Sequence, residues 1–122
     1  MNMEIETRLS DQLARYLDLA VGETKLTAAN MANIDTPGYR AVGMDFEAEM
    51  REAITGVDQG RSPRPPRVKA VAGLITRPDG NNVSMDREGL NLAEEQLKFK
   101  TGVALLRQEY QRVMDAIHAD SK

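Results

Sequence analysis

Apolar and polar positions follow a helical beat at both ends of the chain and lose it in the middle. Toward the C-terminus, Leu92, Gln96, Phe99, Val103, Leu106, Tyr110, Val113 and Ile117 are spaced alternately four and three residues apart, and all but Gln96 are apolar. A strict seven-residue repeat keeps one seam turned toward a partner helix, as in coiled coils. Charged residues such as Glu94, Glu95, Lys98, Arg107 and Asp115 fall mostly off that seam. The pattern predicts a helix over 86–119, with the Asp86 carboxylate accepting from the free amides of its first turn. A second apolar stripe, Leu90, Ala93, Leu97, Ala104 and Leu105, runs beside the first.

The N-terminal pattern is looser. Leu9, Leu13, Tyr16, Ala20, Thr24, Thr27 and Met31 recur near the ~3.6-residue period of a straight helix and predict one over 5–33. Its end carries small residues, Ala28, Ala29 and Ala32, which let another backbone approach and imply tight packing there. Between the two helices, 34–85 holds all five prolines and most of the glycines. Within it, Phe46, Met50 and Ile54 mark a short amphipathic helix over 45–54 capped by Asp45. Residues 61–67, basic and proline-rich, read as an extended, mobile linker; 68–76 suits one or two short strands and 78–82 a turn. The expected fold is mainly α and elongated. Long terminal helices pack as a coiled-coil-like pair within one domain over 1–122, divided at 5–33, 34–85 and 86–119.

Composition sharpens this picture. A chain of 122 residues with 41% apolar content and only five aromatic side chains favours thin helical packing over a thick globular core. Each buried seam residue stabilises by roughly 1.5–3 kcal/mol, against roughly 1–2 kcal/mol of backbone entropy for each residue ordered. One seam against one helix is therefore marginal, and the second stripe would face water in a two-helix monomer. The sequence predicts an assembling protein. Sixteen basic against nineteen acidic residues leave a net charge of −3, without the basic face of a nucleic-acid binder. The absence of cysteine excludes disulfides, thiol catalysis and cysteine zinc sites. The start of the chain lacks a positive segment followed by an apolar run, so no cleaved signal peptide is expected. The longest nearly apolar run, 70–75, is far short of the ~20 residues of a membrane span, so no membrane insertion is expected.

Candidate chemistry adds little. His118 stands without a second histidine or any cysteine and lies where a cation favours a helix C-terminus. Asp45, Glu47, Glu49 and Glu52 read as a solvated helix face. Residues 79–90 fail as a calcium loop: Val83 takes the fifth position, Ser84 the glycine position and Leu90 that of the closing glutamate. The Pro63-Arg64-Pro65-Pro66 run reads as linker before ligand. With no phosphate loop or nucleophile elbow, neither an enzyme nor a cofactor or metal is expected.

The most specific string is Ala29-Asn30-Met31-Ala32-Asn33-Ile34-Asp35-Thr36-Pro37-Gly38-Tyr39-Arg40-Ala41. Pro37 stops the helix, and Pro37-Gly38 suits the centre of a type II turn with Gly38 at positive φ. Asn30 and Asn33 can bond the orphan carbonyls of the last turn or reach a neighbouring chain. A plain helix stop accounts for the Pro-Gly pair, but not for two asparagines and a tyrosine at this spacing. The string resembles the Ala-Asn-x-Ala-Asn-x-x-Thr-Pro-Gly-Tyr signature of bacterial flagellar rod and hook proteins. The resemblance covers 28–55 and 79–117, and 56–78 is not diagnostic.

The resemblance implies a non-enzymatic rod subunit of the flagellar basal body. Such a subunit is exported unfolded by the flagellar type III apparatus and stacked helically in the periplasmic drive shaft, its terminal helices packed together. It assigns the turn residues Asn30, Asn33, Thr36, Pro37, Gly38 and Tyr39 to assembly. The implied partners are copies of the chain, other rod subunits, the membrane-ring adaptor at the rod base, and the export gate. Phe46 and Met50 fit the Phe-x-x-x-apolar element read by that gate, although packing explains Phe46 as well. The rival class is a soluble helical-hairpin adaptor or export chaperone forming a discrete oligomer.

Overall fold

The computed structural model describes residues 6–120. Ile5, the expected start of the first helix, lies outside them. The described residues form α1 (Arg8–Ala32), β1 (Val42–Gly43), α2 (Phe46–Asp58), β2 (Lys69–Ala70) and α3 (Met85–Asp120). The fold is mainly α, with α1 and α3 packed along each other as an antiparallel hairpin and α2 laid against α1.

Local chemistry sets the helix ends. At α1, the Ser10 N–H donates to Thr7 Oγ1 (3.0 Å) and the Thr7 N–H to Ser10 Oγ (2.7 Å), a reciprocal cap. Asp45 caps α2 as expected, its carboxylate accepting from the Ala48 N–H at 3.0 Å, but the helix runs one turn past Ile54 to Asp58. Ser84, not Asp86, caps α3: its hydroxyl accepts from the Arg87 N–H at 3.3 Å, and Asp86 sits within the first turn. The hydroxyl one position before the helix reaches the third amide, a geometry that Asp86, already helical, cannot adopt.

The hairpin contact is centred on a column that hydropathy does not mark. Glu88, Glu95, Gly102 and Glu109, each seven residues from the next, are the buried positions of α3. From α1, Thr7 Oγ1 donates to Glu109 (3.1 Å), Thr27 Oγ1 to Glu95 (2.8 Å) and Asn30 Nδ2 to Glu88 (3.1 Å). At Gly102, a Cβ would stand 2.6 Å from Leu17 Cδ2 and 2.9 Å from Tyr16 Cδ1, so the missing side chain is what lets α1 approach. Leu92, Val103, Leu106, Val113 and Ile117 flank this column half-buried, whereas Gln96, Phe99 and Tyr110 are exposed. Among the described residues the buried apolar side chains are Leu19, Ala20, Ala41 and Val83, a thin core.

The middle is more ordered by contacts than its composition suggests. Segment 61–67, expected to be mobile, is strapped onto α2: Arg64 pairs with Glu52, and Arg67 reaches Glu49 at 3.1 Å and Glu52 at 2.6 Å. The reason is Glu49, which is buried where a solvated face was expected and accepts both the Arg67 side chain and its backbone N–H (3.1 Å). A single short strand, β2, falls within 68–76. It pairs antiparallel with β1, Val42 opposite Ala70 and Gly43 opposite Lys69. The 78–82 turn is present, with Gly80 at φ 87° and its N–H donating to the Arg77 carbonyl at 2.9 Å.

Candidate functional site

The signature string builds a polar knot where α1 ends and α3 begins. Pro37 and Gly38 occupy a turn closed by the Tyr39 N–H on the Thr36 carbonyl (3.2 Å), with Gly38 at φ 76°. Asn33 caps the last turn of α1, donating through Nδ2 to the Ala29 carbonyl (2.8 Å) and accepting from the Thr36 hydroxyl (2.9 Å). Asn30 is turned inward and is fully buried. Its Nδ2 donates to the Val42 carbonyl (2.8 Å) and to Glu88 (3.1 Å), and its Oδ1 accepts from the Val42 N–H (3.0 Å) and the Tyr39 hydroxyl (3.1 Å). The amide thus treats Val42 as a peptide partner and uses its full capacity within the chain, leaving nothing for a neighbour.

Sequence reasoning missed the second half of this knot. Asn81, buried, donates to the carbonyls of Asn33 (2.8 Å) and Thr36 (2.9 Å) and accepts from the Val83 N–H (2.8 Å). Asn82 accepts from the buried Ala41 N–H at 2.7 Å. Arg77 donates to the carbonyls of Ile34 and Val83, and Arg87 pairs with Glu88 at 2.7 Å. The hints in sequence were a turn ending in two asparagines and the place of 79–117 in the family resemblance; nothing local pairs them with residues 33–41. The knot holds a loop against two helix ends, which is a fastening geometry.

Phe46 lies half-buried between the hairpin helices, its ring edge-on to Tyr16 (5.5 Å between centroids) and beneath the Lys98 ammonium at 3.9 Å. Lys98 is held in turn by Glu23 of α1 at 2.9 Å. Met50 follows half-buried on the same helix. Both residues of the candidate export element are therefore engaged in packing in the folded chain.

The outer surface of the hairpin carries exposed apolar side chains among charged ones. Leu90 and Leu97 are 62% and 66% exposed, Leu105, Ala93 and Ala104 are exposed with them, and Ala28 and Ala32 at the end of α1 are exposed as well. Packing at that end comes from buried Thr27 and Asn30 with half-buried Ala29, not from Ala28 or Ala32.

Electrostatics in the seam oppose one another. Burial pushes the Glu95 carboxyl above its ordinary range, reinforced by Glu23 and Glu88 and opposed by the Thr27 hydroxyl and Lys98. Glu109 is held below its ordinary range by Arg112, with help from Thr7. Asp45 is lowered by the Ala48 N–H, and Glu52 by Arg64. One oxygen of Glu88 and one of Glu95 have no hydrogen-bond partner. Among the described residues, no helix is long and apolar enough to cross a membrane.

No model of a known protein family matches the chain. Curated relatives do. The chain is 30% identical over 119 residues to the flagellar basal body rod protein FlgB of Salmonella typhimurium, an alignment covering 83% of this chain and 86% of the relative. It is 28% identical over 121 residues to FlgB of Escherichia coli, covering 84% and 88%. It is also 28% identical over 122 residues to FlgB of Yersinia ruckeri, covering 83% and 87%. Likeness over most of both chains, together with a signature turn tied to both helix ends, has one conclusion: the chain belongs to the FlgB family of flagellar basal body rod proteins.

Proposed function

We infer that the chain serves as a structural subunit of the flagellar basal body rod, joined to other copies and to neighbouring rod proteins through the outside of the α1–α3 hairpin. The observation that carries this is the exposure of the Leu90, Ala93, Leu97, Ala104 and Leu105 stripe on a helix whose other face is already occupied. The role is mechanical. Asn30, Asn33 and Tyr39 fix the angle at which the hairpin is presented, so load passes through helices whose ends cannot swing. Delivery through the flagellar type III apparatus to the periplasm, and seating against the membrane-ring adaptor, complete the reading. A discrete helical-hairpin adaptor is disfavoured, because the relatives that match over most of this chain are rod proteins.

The test is incorporation. In a strain lacking its own rod subunit, the chain is expected in purified basal bodies, and Leu90→Asp with Leu97→Asp is expected to be absent from them while keeping its helix content. Equal incorporation of the double variant would remove the stripe as the joining surface, and absence of the parent chain from basal bodies would remove the rod reading. Phe46 and Met50 are assigned to the export gate on the strength of their pattern. Phe46→Ala should lower secretion of the unassembled subunit, whereas normal secretion with failed assembly would leave packing as its only role.

A further inference from the structure

We propose that the outer edge of β2, around Ala70, takes an extended acidic segment of another protein as a third strand. The surface is separate from the α3 stripe, and the proposal does not rest on the rod reading.

The two edges of the β1–β2 ribbon are finished differently. In the observed register Val42 faces Ala70, and the Val71 N–H donates to the Ala41 carbonyl at 3.0 Å. Antiparallel pairing alternates, so Val42 and Ala70 turn their peptide groups away from each other, toward the two outer edges. At β1 that edge is closed. The Asn30 amide gives Val42 the two bonds a further strand would give, at 2.8 Å and 3.0 Å. At β2 it is open: among the described residues no further strand pairs there, and Lys69 and Ala70 are both exposed. Val68 and Ala72 share the alternation of Ala70 and are exposed as well. An unpaired edge of this kind is a template on which an extended chain can add.

The charge around the edge selects the occupant. Residues 59–78 hold five basic side chains and no acidic one, in a chain whose net charge is −3. Arg64 and Arg67 are spent on Glu49 and Glu52, and Arg77 on the knot. Lys69 remains on the strand itself; Asp45 lies within charge reach of it but is bonded to the Ala48 N–H at 3.0 Å. At the far end of the segment stands exposed Arg40, donating to the Thr76 hydroxyl at 3.1 Å. Val68 is 55% exposed and Ile75 89%, so apolar surface lies beside the two cations. Open peptide groups, Lys69, Arg40 and this apolar surface together fit an extended segment that carries acidic and apolar residues. A second copy of β2 does not fit, because it would set one basic segment against another.

The probe is a short capped peptide alternating glutamate and valine, titrated into the full chain and followed by NMR of the backbone amides. The same peptide with lysine for glutamate is the control. The acidic peptide should shift the Ala70 and Ala72 amides and slow their hydrogen exchange at least tenfold, leaving Val71, already bonded, little changed. The lysine peptide should bind at least tenfold more weakly, and the gap should narrow in high salt. Ala70→Pro removes the outward N–H and no bond of the ribbon, as proline does on an edge strand. It should abolish the response while the Val71 amide stays protected. Lys69→Glu, a change at an exposed side chain, should weaken the acidic peptide several-fold and strengthen the lysine one. Equal binding of the two peptides, a preference unchanged by Lys69→Glu, a response that survives Ala70→Pro, or no saturable shift at millimolar peptide overturns the proposal. So does Ala70 protection that grows with the concentration of the chain alone, which would give the edge to a second copy.

Discussion

Asn30 makes all four hydrogen bonds that its amide allows, and each partner is buried or half-buried. Asn30→Ala would leave the Val42 N–H and carbonyl, the Tyr39 hydroxyl and Glu88 short of a partner at once, so a loss of ~3 kcal/mol in urea unfolding is expected. Asn30→Asp keeps both acceptors, removes both donors and sets a second carboxylate against Glu88; at neutral pH it should be at least as damaging. An Asn30→Asp chain of native stability would show that the knot is ornamental. Glu95 behaves in the opposite sense. Because burial raises its folded-state pKa above the unfolded value, its contribution is fully present below the unfolded pKa and is lost as pH rises through the folded one. Glu95→Gln keeps an acceptor for Thr27 and carries no charge to bury. It should exceed the parent in stability above the folded pKa by on the order of 1 kcal/mol, the gap closing below the ordinary glutamate range. Glu109 has the other sign, lowered by Arg112, so its contribution is present above the unfolded pKa and fades as pH falls through the folded one. Unfolding curves for parent and Glu95→Gln across pH would separate the two, and a gap independent of pH would contradict the assignment.

At the scale of the element, α3 carries two glycines with opposite consequences. Gly102 faces α1 with no room for a Cβ, and Gly89 has nothing within 4 Å of where one would stand. Gly89→Ala should therefore stabilise the isolated chain by up to about 1 kcal/mol through helix propensity. Gly102→Ala should lose about 1–3 kcal/mol by forcing Tyr16 and Leu17 away, despite the same propensity gain. Thermal unfolding of the two variants checks this, and shifts of the same sign would mean that the helices are not packed as described. The period of α3 was legible in the sequence, because a seven-residue repeat survives any choice of phase. The phase was not. Leu92, Phe99, Leu106 and Val113 share that repeat with the true contact column but stand beside it, and glutamates at 88, 95 and 109 do not read as interior. What makes them interior is a threonine or asparagine across the gap, at Thr7, Thr27 and Asn30, and those pairings are separated by 58 to 102 residues in sequence. The signature turn, by contrast, was readable because Pro37, Gly38 and Asn33 act within a few residues of one another. The strap over 61–67 was misjudged for the same non-local reason: composition shows prolines and arginines, but not the Glu49 and Glu52 that receive them.

For the whole molecule, these contacts are unevenly strong, and that sets how it opens. The knot joins the end of α1, β1, residues 77–83 and the start of α3 through buried hydrogen bonds, which salt barely screens. On the other side, α2 and the strap are held by Arg64 and Arg67, whose side chains are 42% and 67% exposed, and by Arg8 on Asp58 at 2.7 Å. The pairs on Glu52 and Asp58 contribute roughly 0–1 kcal/mol each and weaken as the screening length shrinks to ~3 Å near 1 M salt, while those on Glu49, 6% exposed, are screened less. Few buried apolar contacts back them, since the cavity of about 130 Å³ beneath the strap is lined by Arg15, Leu19, Gly56 and Pro66 among others. Native-state hydrogen exchange should therefore find the amides of α2 opening well below the global unfolding free energy, and faster still in high salt. The amides of Val42 and Val83, bonded to Asn30 and Asn81, should exchange only with global unfolding and ignore salt. Equal protection on both sides, or salt acceleration at the knot, would mean that the polar knot is not what holds the hairpin ends.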